Sequence, residues 1–229
     1  MKNKVIFLSF VILFGFATSI CTAKYSGGDG SEATPYRISD ANDMQQIGAN
    51  PADWDKHFVL TDNVNLAQFT GTQFNIIGND SNAFTGVFDG NGFTISNFTY
   101  NSLSWRTGIF GTVGNSTDPN AVIKDLTLIN PNVNTVGRFG GSLIGFLFAG
   151  IIINCCVEDV YISGKYDVGG LLGHNATGTI LSCHATGNVE GFNSAIGGLV
   201  GSNRGLILSC FASGIVQGSE TVGGLVGFN

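Results

Sequence analysis

The sequence predicts an all-β solenoid, a parallel β-helix with rungs of about 28 residues and a short N-terminal capping helix. Three observations carry this. An isoleucine stands three residues before a Phe, Leu or Cys in the pairs Ile95/Phe98, Ile123/Leu126, Ile152/Cys155, Ile180/Cys183 and Ile207/Cys210, and successive isoleucines are 28, 29, 28 and 27 residues apart. The residue just before the second member is always short and polar: Asn97, Asp125, Asn154, Ser182, Ser209. A glycine signature keeps nearly the same period, as Gly169-Gly170-Leu171-Leu172-Gly173, Gly197-Gly198-Leu199-Val200-Gly201 and Gly223-Gly224-Leu225-Val226-Gly227.

Residues 1–23 read as a secretory signal peptide. Lys2 and Lys4 precede the apolar run Val5–Phe16, and Cys21-Thr22-Ala23 supplies small residues for cleavage. A lipid anchor on Cys21 fits less well, because Ile20 stands where such signals want a small residue. No second apolar stretch approaches the roughly 20 residues of a membrane span. Residues 24–50 form a leader and the capping helix. Tyr25–Gly30 is a flexible, turn-rich leader, Pro35–Ser39 is extended, and Asp40–Gly48 is a short helix. Ser39 or Asp40 caps it, Gly48 closes it, and Met44 and Ile47 share the face that covers the first rung.

Residues 51–229 form the repeat domain. His57–Leu66 and Phe74–Ile77 read as strands, and Asp89-Gly90-Asn91-Gly92 as a tight turn. Two residues after the Phe/Leu/Cys column, Tyr100, Leu128, Val157, Ala185 and Ala212 are all apolar. An offset of two keeps one strand face, whereas the isoleucine's offset of three reverses it. A corner must therefore lie between them, at the polar column, where stacked side chains form a ladder. About 28 residues make three short strands and three turns. A propeller blade needs about 40 residues, and a helical repeat needs a 3.6-residue period that is absent here.

Charged residues make up 11% of the chain, against about 25% in ordinary globular proteins. The net charge of −6 becomes −8 once Lys2 and Lys4 are removed. Such a surface repels phosphate backbones, so nucleic acid is not an expected partner. Four cysteines follow the signal: Cys155, Cys156, Cys183 and Cys210. Export and an even count suggest disulfides. In-register strands about 4.8 Å apart hold their Cβ vectors parallel, however, which suits free thiols better.

The three glycine motifs resemble the GLUG motif, and the chain is similar to bacterial exported, adhesin-like GLUG-repeat proteins. Ser142-Leu143-Ile144-Gly145 and Gly108-Ile109-Phe110-Gly111 look like degenerate copies, with Ser142 replacing a glycine. Phe84–Asn97 and Trp54–Phe58 resemble segments that precede such repeats, so the likeness extends from about Tyr25 to Asn229. It implies a right-handed parallel β-helix at the cell surface or in the medium. The motif also accompanies immunoglobulin-cleaving peptidase domains without being the protease itself.

No residue pattern points to catalysis, a cofactor or a metal. In a coil, acids become neighbours by sharing a column in successive rungs. Asp125 is flanked by Asn97 and Asn154, Asp159 aligns near Gly187, and Glu158 near Thr186. Asp89–Gly92 echoes turns of polysaccharide-active β-helices, yet a plain corner accounts for it. His57, His174 and His184 are scattered, and metal binding needs three convergent ligands. Ser26-Gly27-Gly28-Asp29 lacks a calcium nonapeptide. Phe211 shares an outward column with Thr127, Cys156 and His184, where it offers an exposed ring.

Two readings of function follow. One is a non-catalytic exported module, adhesive or scaffolding, with an extracellular protein or carbohydrate ligand. The other is a polysaccharide-processing β-helix with its active site in irregular rungs or in missing sequence. The final motif, Gly223–Gly227, is followed only by Phe228 and Asn229. The expectation is an open rung that continues into further chain or self-associates through Leu225, Val226 and Phe228.

Overall fold

The computed structural model describes residues 24–229, so the expected signal peptide, residues 1–23, lies outside the described residues. Among the described residues every strand pairing is parallel, in a 15-stranded and a 5-stranded sheet. That pattern follows from a chain whose equivalent segments return in register one coil later. The rungs form a parallel β-helix.

Its first face stacks Tyr36–Ile38, His57–Leu60, Val87–Asp89, the start of Val122–Ile129, the start of Ile151–Gly169, Thr179–Leu181 and Leu206–Leu208. Phe58, Phe88, Ile123, Ile152, Ile180 and Ile207 align there in one inward column. Ile123, Ile152 and Ile180 have no exposed surface. Around the next corner, Val64, Ile95, Leu128, Val157, Ala185 and Ala212 form a second column. Tyr100, Val133, Ile162, Val189 and Val216 form a third. The 5-stranded sheet closes the coil with Phe110, Ile144, Leu172, Val200 and Val226.

The repeat alignment needs one correction. Ile95 and Phe98 do not stack with the other four pairs. Ile95 pairs with Val64 and Leu128, and the Phe98 carbonyl accepts from the Asn132 amide. The reason is that each rung has two corners of the same design, an inward residue, a spacer and a left-handed residue. Asp125, Asn154, Ser182 and Ser209 turn the first corner with φ of 52–54°. Asn97, Asn130 and Asp159 turn the second at 58°, 52° and 54°, and Gly187 and Gly214 replace them in later rungs. Short polar residues and glycine tolerate this conformation, which β-branched residues avoid. Side-chain ladders hold both corners, with Asn154 donating to Asp125 at 2.9 Å and Asn130 to Asn97 at 2.9 Å.

The helix spans Ala41–Ala49 with Asp40 as N-cap, its carboxylate accepting from the amides of Asn42 and Asp43. Met44 and Ile47 are fully buried in the core. The leader is not loose. Tyr25 is buried and its hydroxyl donates to Asp53 at 2.7 Å, while Ser26 donates to Asp43 at 2.6 Å. The expected strand His57–Leu66 splits into His57–Leu60 and Val64–Asn65 around a corner. Phe74–Ile77 forms only an isolated bridge from Ile77 to Phe110.

Candidate ligand-binding edge

The glycine motifs sit where backbones touch. A Cβ on the first glycine of each copy (Gly169, Gly197 or Gly223) would come closer than 3.0 Å to the carbonyl three residues on. On Gly170 or Gly198 it would strike the matching glycine carbonyl of the next rung. On Gly173, Gly201 or Gly227 it would strike the backbone of the preceding rung, at Phe139, Asp167 and Ile196 respectively. Leu171, Leu172, Leu199 and Val200 are fully buried. These residues build the wall and offer no chemistry to a ligand. Ser142, in the degenerate copy, is buried with its hydroxyl unpartnered.

The chain enters each of these turns through a third left-handed corner, at Arg106, Phe139, Asp167, Ala195 and Thr221. Residues just upstream of it project outward on consecutive rungs. Trp105, Val136, Arg138, Lys165, Tyr166 and Ser194 line an open cleft of about 550 Å³. A second hollow of about 500 Å³ lies on the other side of Trp105, with Asp80 and Arg106 in its wall.

Aromatic rings floor this edge. Trp105 meets Phe139 edge-on at 6.4 Å, Phe139 packs on Phe146 and His174, and Phe146 stacks on His174 at 5.1 Å. The Arg106 guanidinium lies 4.6 Å from the Phe146 ring centre and pairs with Asp80. Arg138 lies 5.1 Å from Phe139, and its Nε donates to buried Asp167 at 2.7 Å. Burial pushes the Asp167 carboxyl up, but the neighbouring imidazole of His174 and guanidinium of Arg138 outweigh it and hold it below its ordinary value. His174 Nδ1 stands 3.9 Å from Asp167 with no hydrogen bond, so the Arg138 contact is the firm one. Lys165 reaches over Tyr166 at 5.4 Å and has no carboxylate partner among the described residues.

None of this edge was singled out in the sequence apart from His174. A signal was present. Trp105-Arg106, Arg138-Phe139 and Lys165-Tyr166 are aromatic–basic doublets that end within three residues of successive glycine motifs.

His184 and Phe211 share the outward column and stack at 4.7 Å, with Phe211 exposed. Among the described residues, no three His, Cys, Asp or Glu side chains converge as a metal-binding group. Cys155, Cys156, Cys183 and Cys210 are free. The Cys155 amide donates to the Cys183 sulfur at 3.4 Å, and the Cys183 amide to the Cys210 sulfur at 3.3 Å. Burial raises the Cys155 thiol, which makes it inert. Two carboxylates do meet across rungs without sharing a column. Lys124 lies 2.6 Å from Asp89 and 3.6 Å from Asp125, because Val87–Asp89 stacks on Val122–Lys124.

Residues 164–190 match the GLUG motif family. Over 183 residues, 77% of its length, the chain is 34% identical to Halomucin of Haloquadratum walsbyi. Over 140 residues, 58% of its length, it is 29% identical to a provisionally named Gly-rich membrane protein of Evansella cellulosilytica. The chain spans only 2% and 16% of the lengths of these two relatives. Its fold is similar to the crystal structure of a provisionally named immunoglobulin A1 protease from Bacteroides ovatus. The TM-score is 0.69 with 20% identity, covering 89% of this chain and 64% of that one. At that identity the likeness speaks for the fold alone. Among the described residues, no helix is long and apolar enough to cross a membrane.

Proposed function

We propose, from the premise that this chain is a GLUG-motif repeat protein folded as a parallel β-helix, that it is a non-catalytic binding or scaffolding module of a surface or secreted protein. The observation that carries this reading is the edge at Trp105. Its concave surface is made of aromatic faces and cations, and the nearby carboxylates are already engaged, Asp80 by Arg106 and Asp167 by Arg138. Such a surface holds a ligand but offers no free acid and base flanking a reacting bond. The similarity to Halomucin and to a Gly-rich membrane protein supports a place outside the cytoplasm. We read residues 1–23 as the export signal, 24–50 as leader and cap, and 51–229 as the repeat domain.

The test expresses the full chain with its signal in a bacterial host. The exported product should begin at Lys24, adhere to an extracellular surface or matrix, and turn over no polysaccharide or peptide. An unprocessed cytoplasmic product, or reproducible turnover abolished by one point mutation, refutes the reading. The competing polysaccharide-processing reading has one observation in its favour, the two carboxylates that meet Lys124. It requires that Asp125→Asn abolish such turnover.

A further inference from the structure

We infer that the cleft bounded by Trp105, Arg138, Lys165 and Tyr166 binds an acidic saccharide, a sugar ring carrying one carboxylate. The inference rests on the reading of the chain as a binding module and names its ligand class. Exposure marks the place first. Among the described residues outside the last rung, the four most exposed large apolar side chains are Leu103 (84%), Trp105 (62%), Phe192 (62%) and Val136 (56%). Trp105 and Val136 line the cleft, Leu103 stands two residues before Trp105, and the Phe192 amide bonds to the Gly164 carbonyl, one residue before Lys165. Clustered apolar exposure of this kind marks an interaction site.

Shape and charge then narrow the occupant. A concavity of about 550 Å³ falls in the range of small-ligand sites, roughly 300–1,000 Å³. A stable protein partner wants a broad face instead, of about 1,000 Å² or more. The chain carries 16 acidic and 10 basic residues, yet the charged side chains in the cleft wall are Arg138 and Lys165. Asp167 neutralises Arg138 and fixes its plane from beneath, while Lys165 has no carboxylate partner among the described residues. Asp80 and Arg106 cancel in the neighbouring hollow. Glu220 lies farther along the edge, its amide bonded to the Asn193 carbonyl.

One unmet positive charge calls for one carboxylate. A polyphosphate demands several cations and is repelled by the rest of the surface. The indole of Trp105, largely exposed, offers a flat apolar face to the C–H face of a sugar, and Lys165, held over the Tyr166 ring, lines the same cleft. The Ser194 hydroxyl and the free edge of the Arg138 guanidinium are left for its hydroxyls and carboxylate.

The experiment titrates the exported chain calorimetrically with oligomers of galacturonate, mannuronate and glucuronate. A neutral glucose oligomer of equal length and a poly-glutamate peptide serve as comparisons. At least one uronate should bind, weakening with added salt, and the neutral oligomer should bind about tenfold or more less tightly. Trp105→Ala and Lys165→Gln should each weaken uronate binding about tenfold without moving the melting temperature, since both side chains are exposed. Failure of all three uronates, equal binding of the neutral oligomer, no change in Lys165→Gln, or tighter binding of poly-glutamate would each overturn the inference. Adhesion that persists without uronate binding sinks only the ligand class. Cleavage of a uronate oligomer sinks the non-catalytic reading itself.

Discussion

The rungs before about residue 115 and those after it close the same coil around different cores. In the first region the bulkiest fully buried side chains are rings: Phe58, Phe74, Phe84, Phe88, Phe98 and Phe110. They pack edge-on or tilted, Phe84 on Phe110 at 5.1 Å and Phe74 on Phe98 at 5.4 Å. In the second region the equivalent volume holds Ile152, Cys155 and Val157, then Ile180, Cys183 and Ala185. Rung length differs too, but for a separate reason. Phe88 and its partner Ile123 are 35 residues apart, whereas Ile152 and Ile180 are 28 apart. Most of the excess is a surface loop: nine residues lead from Val113 to Val122 where four lead from their partners Leu147 to Ile151, and Ser116, Thr117, Pro119 and Asn120 in that loop are exposed. Core filling follows close packing and rung length follows loops, and only the later rungs keep both constant.

The sharpest way to break this comparison is to empty a ring-filled coil. Phe88→Ala should cost about 3–5 kcal/mol in urea unfolding, since a rigid coil cannot collapse onto the hole. A loss under about 1 kcal/mol would show that the aromatic rungs are loosely packed.

Next comes the pair beneath the cleft. Asp167→Asn preserves a residue that tolerates the left-handed corner but removes the charge facing Arg138. The expected cost is about 1–2 kcal/mol near neutral pH, reduced by the exposure of Arg138. Because the folded carboxyl is held below 3.8, its contribution is complete above that pH and fades as pH falls through the lower folded value. Acid titration of stability should therefore separate wild type from Asp167→Asn at neutral pH and bring them together at low pH.

In the later rungs, Cys183→Ala should cost only about 1–2 kcal/mol, a small truncation with no crosslink lost. A thiol reagent should find Cys155, Cys156, Cys183 and Cys210 free in the denatured exported chain, and two titratable thiols would contradict the structure. Smallest is Ser142→Ala, which removes a buried, unpartnered hydroxyl from the degenerate motif. It should raise stability by about 1 kcal/mol, visible as a higher melting temperature.

What the sequence revealed follows the same division. The columns through Ile123, Ile152, Ile180 and Ile207 were legible because the later rungs keep their length, and the polar corner was legible because short polar side chains suit positive φ. Ile95/Phe98 misled because the second corner uses the same residue pattern as the first, and periodicity cannot tell two corners of one rung apart. The Asp89–Lys124–Asp125 cluster was hidden by the long rung and its surface loop, which shift Asp89 out of the 28-residue count. The cleft was illegible as a column. Trp105, Arg138 and Tyr166 are 33 and 28 residues apart, with a register shift between Gly164 and Tyr166. A binding edge gains from differing rung to rung, and repeat detection is blind to difference.

The glycine wall has a mechanical consequence. Each rung there is joined to the next by backbone hydrogen bonds, such as Gly170 to Gly198 at 3.2 Å and Leu171 to Leu199 at 3.0 Å, which run from coil to coil along the stack. Tension applied along that axis loads the inter-rung seams in series, and each can open by itself because each coil contacts only its neighbours. The stack should yield in small, nearly equal steps through the uniform later rungs. Force is then dissipated gradually and not in a single event.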